Sequence, residues 1–322
     1  YKTTNSEMKK YTSLIYICTT VSILNIFAIV FYSQAAGGNS NLSAATPHTD
    51  LTPLEQALTV DVFVPEAISF AGEEVPLHRI DVQEALRKEL IVNTYLHSHT
   101  LQLLKNAPRM FARIEPILKE NGIPEDFKYL AVIESNLNPS AVSPAGAVGL
   151  WQFLASTGEE AGLEINSEVD ERYNVEKATQ AASNYLKKAY ERFGSWTMAA
   201  AAYNAGNSMI QKQMDIQKEK NYYDLLLGEE TERYVFRILA LKQILNNPNV
   251  YNFDPPIAYP IEKVKIVKIK KSVADWADFA NKHDISYKTL KRFNPWLRKN
   301  KLKNPAHREY EIRIPKDKEM YR

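Results

Sequence analysis

Apolar residues along most of this chain recur at three- and four-residue intervals rather than in alternation, which predicts a helical protein over roughly residues 81 to 247. The stretch Asp81 to Lys105 reads as one helix opened by Asp81 as N-cap. Pro108 restarts a helix that ends at Asn121-Gly122. A further helix begins near Pro124 and carries Phe127, Leu130 and Ala131 on one stripe. Residues 174 to 194 give the clearest pattern, with Ala178, Ala182, Tyr185, Ala189 and Phe193 in line, Asn174 as N-cap and Gly194 as C-cap. Ser195 then caps a helix that stops at Gly206, and a last long helix from Thr231 to about Asn246 aligns Tyr234, Ile238, Leu241 and Leu245.

The pattern changes twice. Pro255 and Pro256 interrupt the helical periodicity, and beyond them a lysine-studded strand, two short helices and a closing strand predict a small βααβ unit with Val273, Trp276, Ala277 and Ala280 facing inward. At the other end, Met8-Lys9-Lys10 precedes an apolar run to about Tyr32 and then Ser33-Gln34-Ala35. This reads either as a cleaved export signal or as an uncleaved membrane anchor. The expected organisation is a signal or anchor at 1–36, a polar linker at 37–58, a helical domain at 59–250 with its core at about 107–247, a linker at 251–260 and a small module at 261–322.

Composition sharpens this only in places. A chain of 322 residues that is 45% hydrophobic can bury one or two ordinary cores. The single cysteine, Cys18, lies in the leading apolar run and leaves no disulfide framework. Net charge is +2, yet residues 261–322 carry 18 Lys/Arg against 8 Asp/Glu, whereas residues 1–260 carry 22 against 30. The basic tail suits an anionic surface, and export argues against nucleic acid as the partner. Six scattered histidines offer no metal-ligand spacing, and no nucleotide-binding or serine-hydrolase motif occurs, so no cofactor is expected.

The informative position is Glu134, seven residues after Phe127 on the same apolar stripe. A carboxyl group there is either paired or pushed toward its protonated form, which is the state a general acid needs. It is followed by Ser135, Asn136 and a Gly/Pro-rich loop. Asp170, Glu171, Glu159 and Glu160 are the nearby acids, and Asp170-Glu171-Arg172 reads most simply as loop and ion-pair contacts.

Glu134-Ser135, the run Gly149 to Gln152, the run Ala202 to Gly206 and the run Glu230 to Val235, in this order and spacing, resemble the catalytic domain of family 1 lytic transglycosylases. The resemblance implies a lysozyme-like, all-helical fold with a glycan cleft, and cleavage of the MurNAc-β-1,4-GlcNAc bond of peptidoglycan without water. It makes Glu134 the acid and then the base, with a 1,6-anhydro ring as product. It also places Gln152, Tyr203, Asn204 and Tyr234 at the substrate, with Ser135 beside the acid. Amides and tyrosines suit N-acetyl and hydroxyl groups chemically. The readings left beside it are a hydrolytic muramidase using a second acid such as Asp170, and a non-catalytic glycan-binding scaffold. The tail resembles LysM modules, except that the usual Gly-Asp-Thr after the first strand is replaced by Lys270-Lys271-Ser272-Val273. In those modules that loop helps form the sugar site, which leaves open whether this tail binds glycan. Peptidoglycan glycan strands are the expected partner, and the cell envelope or periplasm the expected location.

Overall fold

A computed structural model describes residues 61–254 and 256–321. The leading apolar run and the linker to residue 58 lie outside the described residues. Among the described residues, no helix is long and apolar enough to cross a membrane.

The first departure from the sequence reading concerns residues 81–121. Instead of one helix capped by Asp81 and a second restarted by Pro108, the chain forms α1 (Ile80–Tyr95) and α2 (His97–Glu120), with the break at Leu96. Asp81 sits inside the first turn of α1, where its carboxylate pairs with Arg79. The break frees the Asn93 carbonyl, and the buried Thr100 hydroxyl donates to it at 2.5 Å. Helix α2 runs through Pro108 and Pro116 because both lie on its exposed side. Carbonyls that lose an N–H partner there face water, so the cost of each proline stays small.

Pro124 precedes a short 3-10 turn, Glu125–Phe127, which leads into α3 (Lys128–Ser135). From Tyr129 to Ile133 every residue of α3 is buried. This helix is the centre of the bundle, and a short helix α4 (Ala155–Glu160) follows the Gly/Pro-rich loop.

Helix α5 (Val175–Phe193) begins and ends as expected. The Asn174 side chain accepts from the amides of Glu176 and Lys177, and Gly194 closes the helix at φ +70°. Its small residues Ala178, Ala182 and Ala189 are fully buried and allow close approach of α6 (Trp196–Ala205), whose Ala199 to Ala202 are fully buried in turn. Gly206, at φ +86°, redirects the chain into α7 (Asn207–Gln217), a helix the periodicity did not predict. Helix α8 (Glu229–Asn246) carries Glu229, Glu230 and Glu232 in its first turn, where the helix dipole favours anions. It buries Tyr234, Ile238 and Leu241 against the bundle, while Leu245 is only partly covered.

Ahead of α1 lies a two-residue hairpin, β1 (Ser69–Phe70) with β2 (Glu73–Glu74), too short to show alternation in sequence. Its Glu73 carboxylate accepts from the backbone N–H groups of Trp196 and Thr197 at 2.6 and 2.9 Å, and from the hydroxyls of Ser195 and Thr197. The orphan amides at the start of α6 are thus satisfied from 123 and 124 residues upstream.

The C-terminal unit has the expected βααβ order: β3 (Val264–Ile269), α9 (Trp276–Lys282), α10 (Tyr287–Phe293) and β4 (Tyr310–Pro315). β3 and β4 pair antiparallel, from Val264 opposite Pro315 to Ile269 opposite Tyr310. Asp275 and Ser286 cap the two helices, and Trp276, Ala280, Leu290, Ile312 and Ile314 fill the space between.

Replacing Glu73 by Ala leaves the first amides of α6 without acceptors, a loss of about 1–2 kcal/mol on the scale of a helix cap. Urea unfolding of the Glu73→Ala chain should show a lower midpoint at unchanged slope.

Candidate active site

Glu134 is the seventh residue of α3, and the helix ends one position later because Asn136 and Leu137 both take left-handed conformations, at φ +53° and +58°. The chain therefore turns away just past the carboxyl group and leaves it at the floor of an open cleft of about 770 Å³. Ile133, Tyr185 and Phe153 form apolar parts of its wall, and Asn204, Glu230 and Arg237 form polar ones.

Burial, hydrogen bonding and nearby charges and dipoles together set the charge of Glu134. Burial is the largest and pushes its pKa up to about 7. The negative charge of Glu230 pushes the same way, while a hydrogen bond from Tyr234 and the positive charge of Arg237 pull down. Its place in the last turn of a helix, facing the negative end of the dipole, also disfavours the anion. Tyr234 donates its hydroxyl to Oε1 of Glu134, a short contact that leaves Oε2 as the oxygen available to exchange a proton. The Tyr234 hydroxyl itself is held far above its usual pKa, first by burial and then by the adjacent carboxylate.

The other expected positions divide. Tyr203 lines the cleft, yet its hydroxyl donates to the Trp151 carbonyl at 2.7 Å and its ring lies edge-on to Tyr185. It ties α6 to the loop opposite. Trp151 is fully buried and donates Nε1 to Thr179 on α5 at 2.9 Å. Gln152 also lines the cleft, at φ +49°, with Nε2 donating to the Gly149 carbonyl at 2.8 Å. Asn204 receives the Thr231 hydroxyl at 2.7 Å and so faces the start of α8. Ser135 is not brought to the cleft: it is buried, and its Oγ donates to the Ala131 carbonyl within α3 at 3.1 Å.

Asp170, the second acid weighed from sequence, is absent from the cleft lining. Its carboxylate is held in a two-point pair with Arg172, at 3.0 Å to Nε and 2.8 Å to Nη2, and both side chains are buried. Glu171 accepts from the amide of Glu164 at 2.9 Å. The acid that does join Glu134 at the cleft is Glu230. Sequence reasoning gave it no role of its own, although the signal was present. Glu230, Tyr234 and Arg237 are spaced i, i+4 and i+7 and share one face of α8. Among the described residues, no group of three or more His, Cys, Asp or Glu side chains is placed to hold a metal ion.

Because the carboxyl of Glu134 keeps its proton in the folded chain up to about pH 7 and loses it near 4.5 when unfolded, stability should fall as pH rises between those values and then level off. The expected drop is about 3 kcal/mol. Glu134→Gln, which carries no charge at any pH, should lack this component. Chemical denaturation at pH 4.5 and pH 8 checks it: the variant should gain on the wild type only at the higher pH.

Comparison with known proteins adds a family context. Residues 112–226 match the model of the transglycosylase SLT domain, and residues 265–318 that of the soluble lytic transglycosylase C-terminal LysM-like domain. The chain is similar to the membrane-bound lytic murein transglycosylase D of Escherichia coli, at 31% identity over 242 residues, covering 73% of this chain and 52% of that one. It therefore spans about half the length of that relative. The peptidoglycan transglycosylase gp16 of Escherichia phage T7 is 30% identical over 123 residues, 37% of this chain and 9% of that one. Among solved structures, an inactive mutant of the lytic transglycosylase Slt from Pseudomonas aeruginosa aligns over 46% of this chain and 25% of that one. Its sequence identity is 21% and its TM-score 0.37.

Proposed function

Given that the chain carries a transglycosylase SLT domain followed by a LysM-like domain of the soluble lytic transglycosylase type, we propose that it is a peptidoglycan lytic transglycosylase with Glu134 as its one acid and base. The observation that carries this reading is a carboxyl group with a pKa raised to about 7, hydrogen-bonded by Tyr234 at the floor of a cleft with room for sugar rings. Such a group is protonated often enough near neutral pH to act as an acid, and acidic enough to act as a base once it has given the proton away.

In the proposed reaction, Glu134 gives its proton to the glycosidic oxygen as the bond from C1 of MurNAc to that oxygen breaks, and the GlcNAc 4-hydroxyl leaves. The carboxylate then takes the proton from the C6 hydroxyl of the same MurNAc as O6 bonds to C1. The glutamate ends as it began, no water enters, and the product carries a 1,6-anhydro ring. The hydrogen bond from Tyr234 matters most in the middle of this cycle, when the carboxylate is charged and buried. Gln152 and Asn204 are proposed to meet the N-acetyl and hydroxyl groups of the glycan, with the ring of Tyr203 as an apolar wall beside them. The substrate lies outside the cytoplasmic membrane, so the chain is assigned to the cell envelope, with the apolar segment that starts at Met8 as its export element or anchor.

A hydrolytic outcome on the same cleft would need a second carboxylate to handle water. Asp170 is committed to Arg172, which leaves Glu230 as the residue that would take that role. The products distinguish the two. Mass spectra of muropeptides released from sacculi should show 1,6-anhydroMurNAc ends, one water lighter than hydrolytic products, and free reducing ends would establish a muramidase instead.

Glu134→Gln should lower turnover by about 10²–10⁴-fold, the usual span for a lost acid-base group. For the wild type, kcat/KM should decline as pH rises through about 7, since the free enzyme must hold the proton. Tyr234→Phe removes an interaction that favours the charged carboxylate, so this decline should move to higher pH while kcat falls. A Tyr234→Phe profile that moves to lower pH would contradict the assignment.

A further inference from the structure

We propose that the C-terminal βααβ module is a brace for one wall of the cleft: it positions the loop from Ala141 to Leu154. The proposal goes beyond the catalytic assignment above, and only its turnover arm rests on that assignment.

The loop supplies Ser143, Ala147, Gln152 and Phe153 to the cleft. It has little structure of its own, only single bridges joining Val148 to Val142 and to Phe153, with Gly149 and Gln152 both at positive φ. A wall made this way needs support from behind. Val148, at its middle, is 5% exposed and belongs to the same buried apolar cluster as Trp276, Trp296, Leu297 and Ile312 of the module. Ala147, just before it, lines the cleft, while Val148 is part of the module's core.

A second connection runs through residues 168 to 172. The amide of Asp170 donates to the Trp296 carbonyl at 2.9 Å, and the amide of Arg298 donates to the Glu168 carbonyl at 2.8 Å, which pairs Val169 with Leu297. The Arg298 guanidinium lies 4.0 Å from the centre of the Tyr173 ring. On the far side of the same segment, Arg172 is aligned by Asp170 and donates Nη1 to the Phe153 carbonyl at 3.2 Å. The Arg172 carbonyl oxygen occupies the space where a Cβ on Gly149 would stand, 1.9 Å away. Only glycine permits that approach. Two contiguous paths thus lead from the module's core to the backbone of the cleft wall.

The module's tryptophans point the same way. Trp276 and Trp296 are at most 3% exposed, so neither ring is displayed for stacking on a sugar. Their packing serves the seam.

The test uses the full chain with three kinds of substitution: Leu297→Ala and Arg298→Ala at the seam from the module's side, Val148→Ala and Val148→Ile from the loop's side, and Lys271→Ala on the exposed surface of the module. Hydrogen–deuterium exchange of residues 141–154 is compared with that of α3, alongside kcat and KM for glycan cleavage. Leu297→Ala and Val148→Ala should speed exchange in 141–154 by about 10-fold or more while α3 stays protected, as for local opening. Loss of alignment in the wall should lower kcat by about 10-fold with KM little changed. Val148→Ile should restore both values, and Lys271→Ala should alter neither. Arg298→Ala removes an exposed group that stacks on Tyr173 and donates to the Pro295 carbonyl, with no buried apolar volume lost, so it reports on the seam if Leu297→Ala fails to fold. Wild-type exchange across 141–154 in Leu297→Ala and Arg298→Ala would overturn the brace, whatever the activity. A raised KM in Lys271→Ala with unchanged kcat in the seam variants would overturn it too, in favour of a glycan-binding appendage. If the wild type proves inactive on glycan, the exchange result alone decides.

Discussion

A carboxyl group set into the most thoroughly buried helix of the bundle is the constraint that organises this structure. Transferring an ionised carboxylate out of water without compensation costs several kcal/mol or more, and Glu134 meets that cost in two ways. It keeps its proton to about pH 7, and in its charged form it has the Tyr234 hydroxyl and the nearby Arg237 to face. Both partners lie on α8, so α3 and α8 must meet along one line. The alanine-rich packing of α5 against α6, and the anchoring of Tyr203 on the Trp151 carbonyl, hold the remaining walls around that line. The fold can be understood as the set of contacts that keeps one poorly solvated group at the floor of an accessible cleft.

The segments whose structure was legible in sequence are those governed by local rules. Asn174, Gly194, Ser195 and Gly206 act within a turn of their own helices, so caps and stops could be read directly. The βααβ order of the tail followed from its lysine-studded strand, two short helical stretches and closing strand, and the caps that start its helices, Asp275 and Ser286, are again local. Glu134 stood out because it broke an apolar stripe. The site partners on α8 were half legible: Tyr234 was identified, but Glu230 and Arg237 were passed over although they share its face.

What sequence did not convey depends on contacts between distant positions. The break at Leu96 is compensated by Thr100, and the prolines of α2 are tolerated because of which side faces water, a fact that local propensity cannot supply. Ser135 lies next to the acid in sequence, yet a helix turns successive residues about 100° apart, and its hydroxyl ends on its own helix instead of in the cleft. Asp170 looked available as an acid until its partner, Arg172, was seen to claim both oxygens. The docking of the module on Val148 and Val169 was not foreseen because no single residue on either side announces it.

Glu73 carries a lesson about where a folding unit begins. The region matched by the transglycosylase family model starts at residue 112, but the carboxylate that satisfies the start of α6 comes from 39 residues earlier in the chain, since Glu73 bonds Trp196 and Thr197. Glu89 of α1 is likewise buried and paired with Arg233 of α8. An expression fragment begun at residue 112 would keep the acid, the tyrosines and the cleft loop, yet leave the first amides of α6 without the Glu73 carboxylate and Arg233 with only the longer contact to Glu229, at 3.4 Å. Fragments meant for biochemistry or crystallisation are better begun ahead of residue 61, where the hydrogen-bonding requirements of the helical bundle are already met.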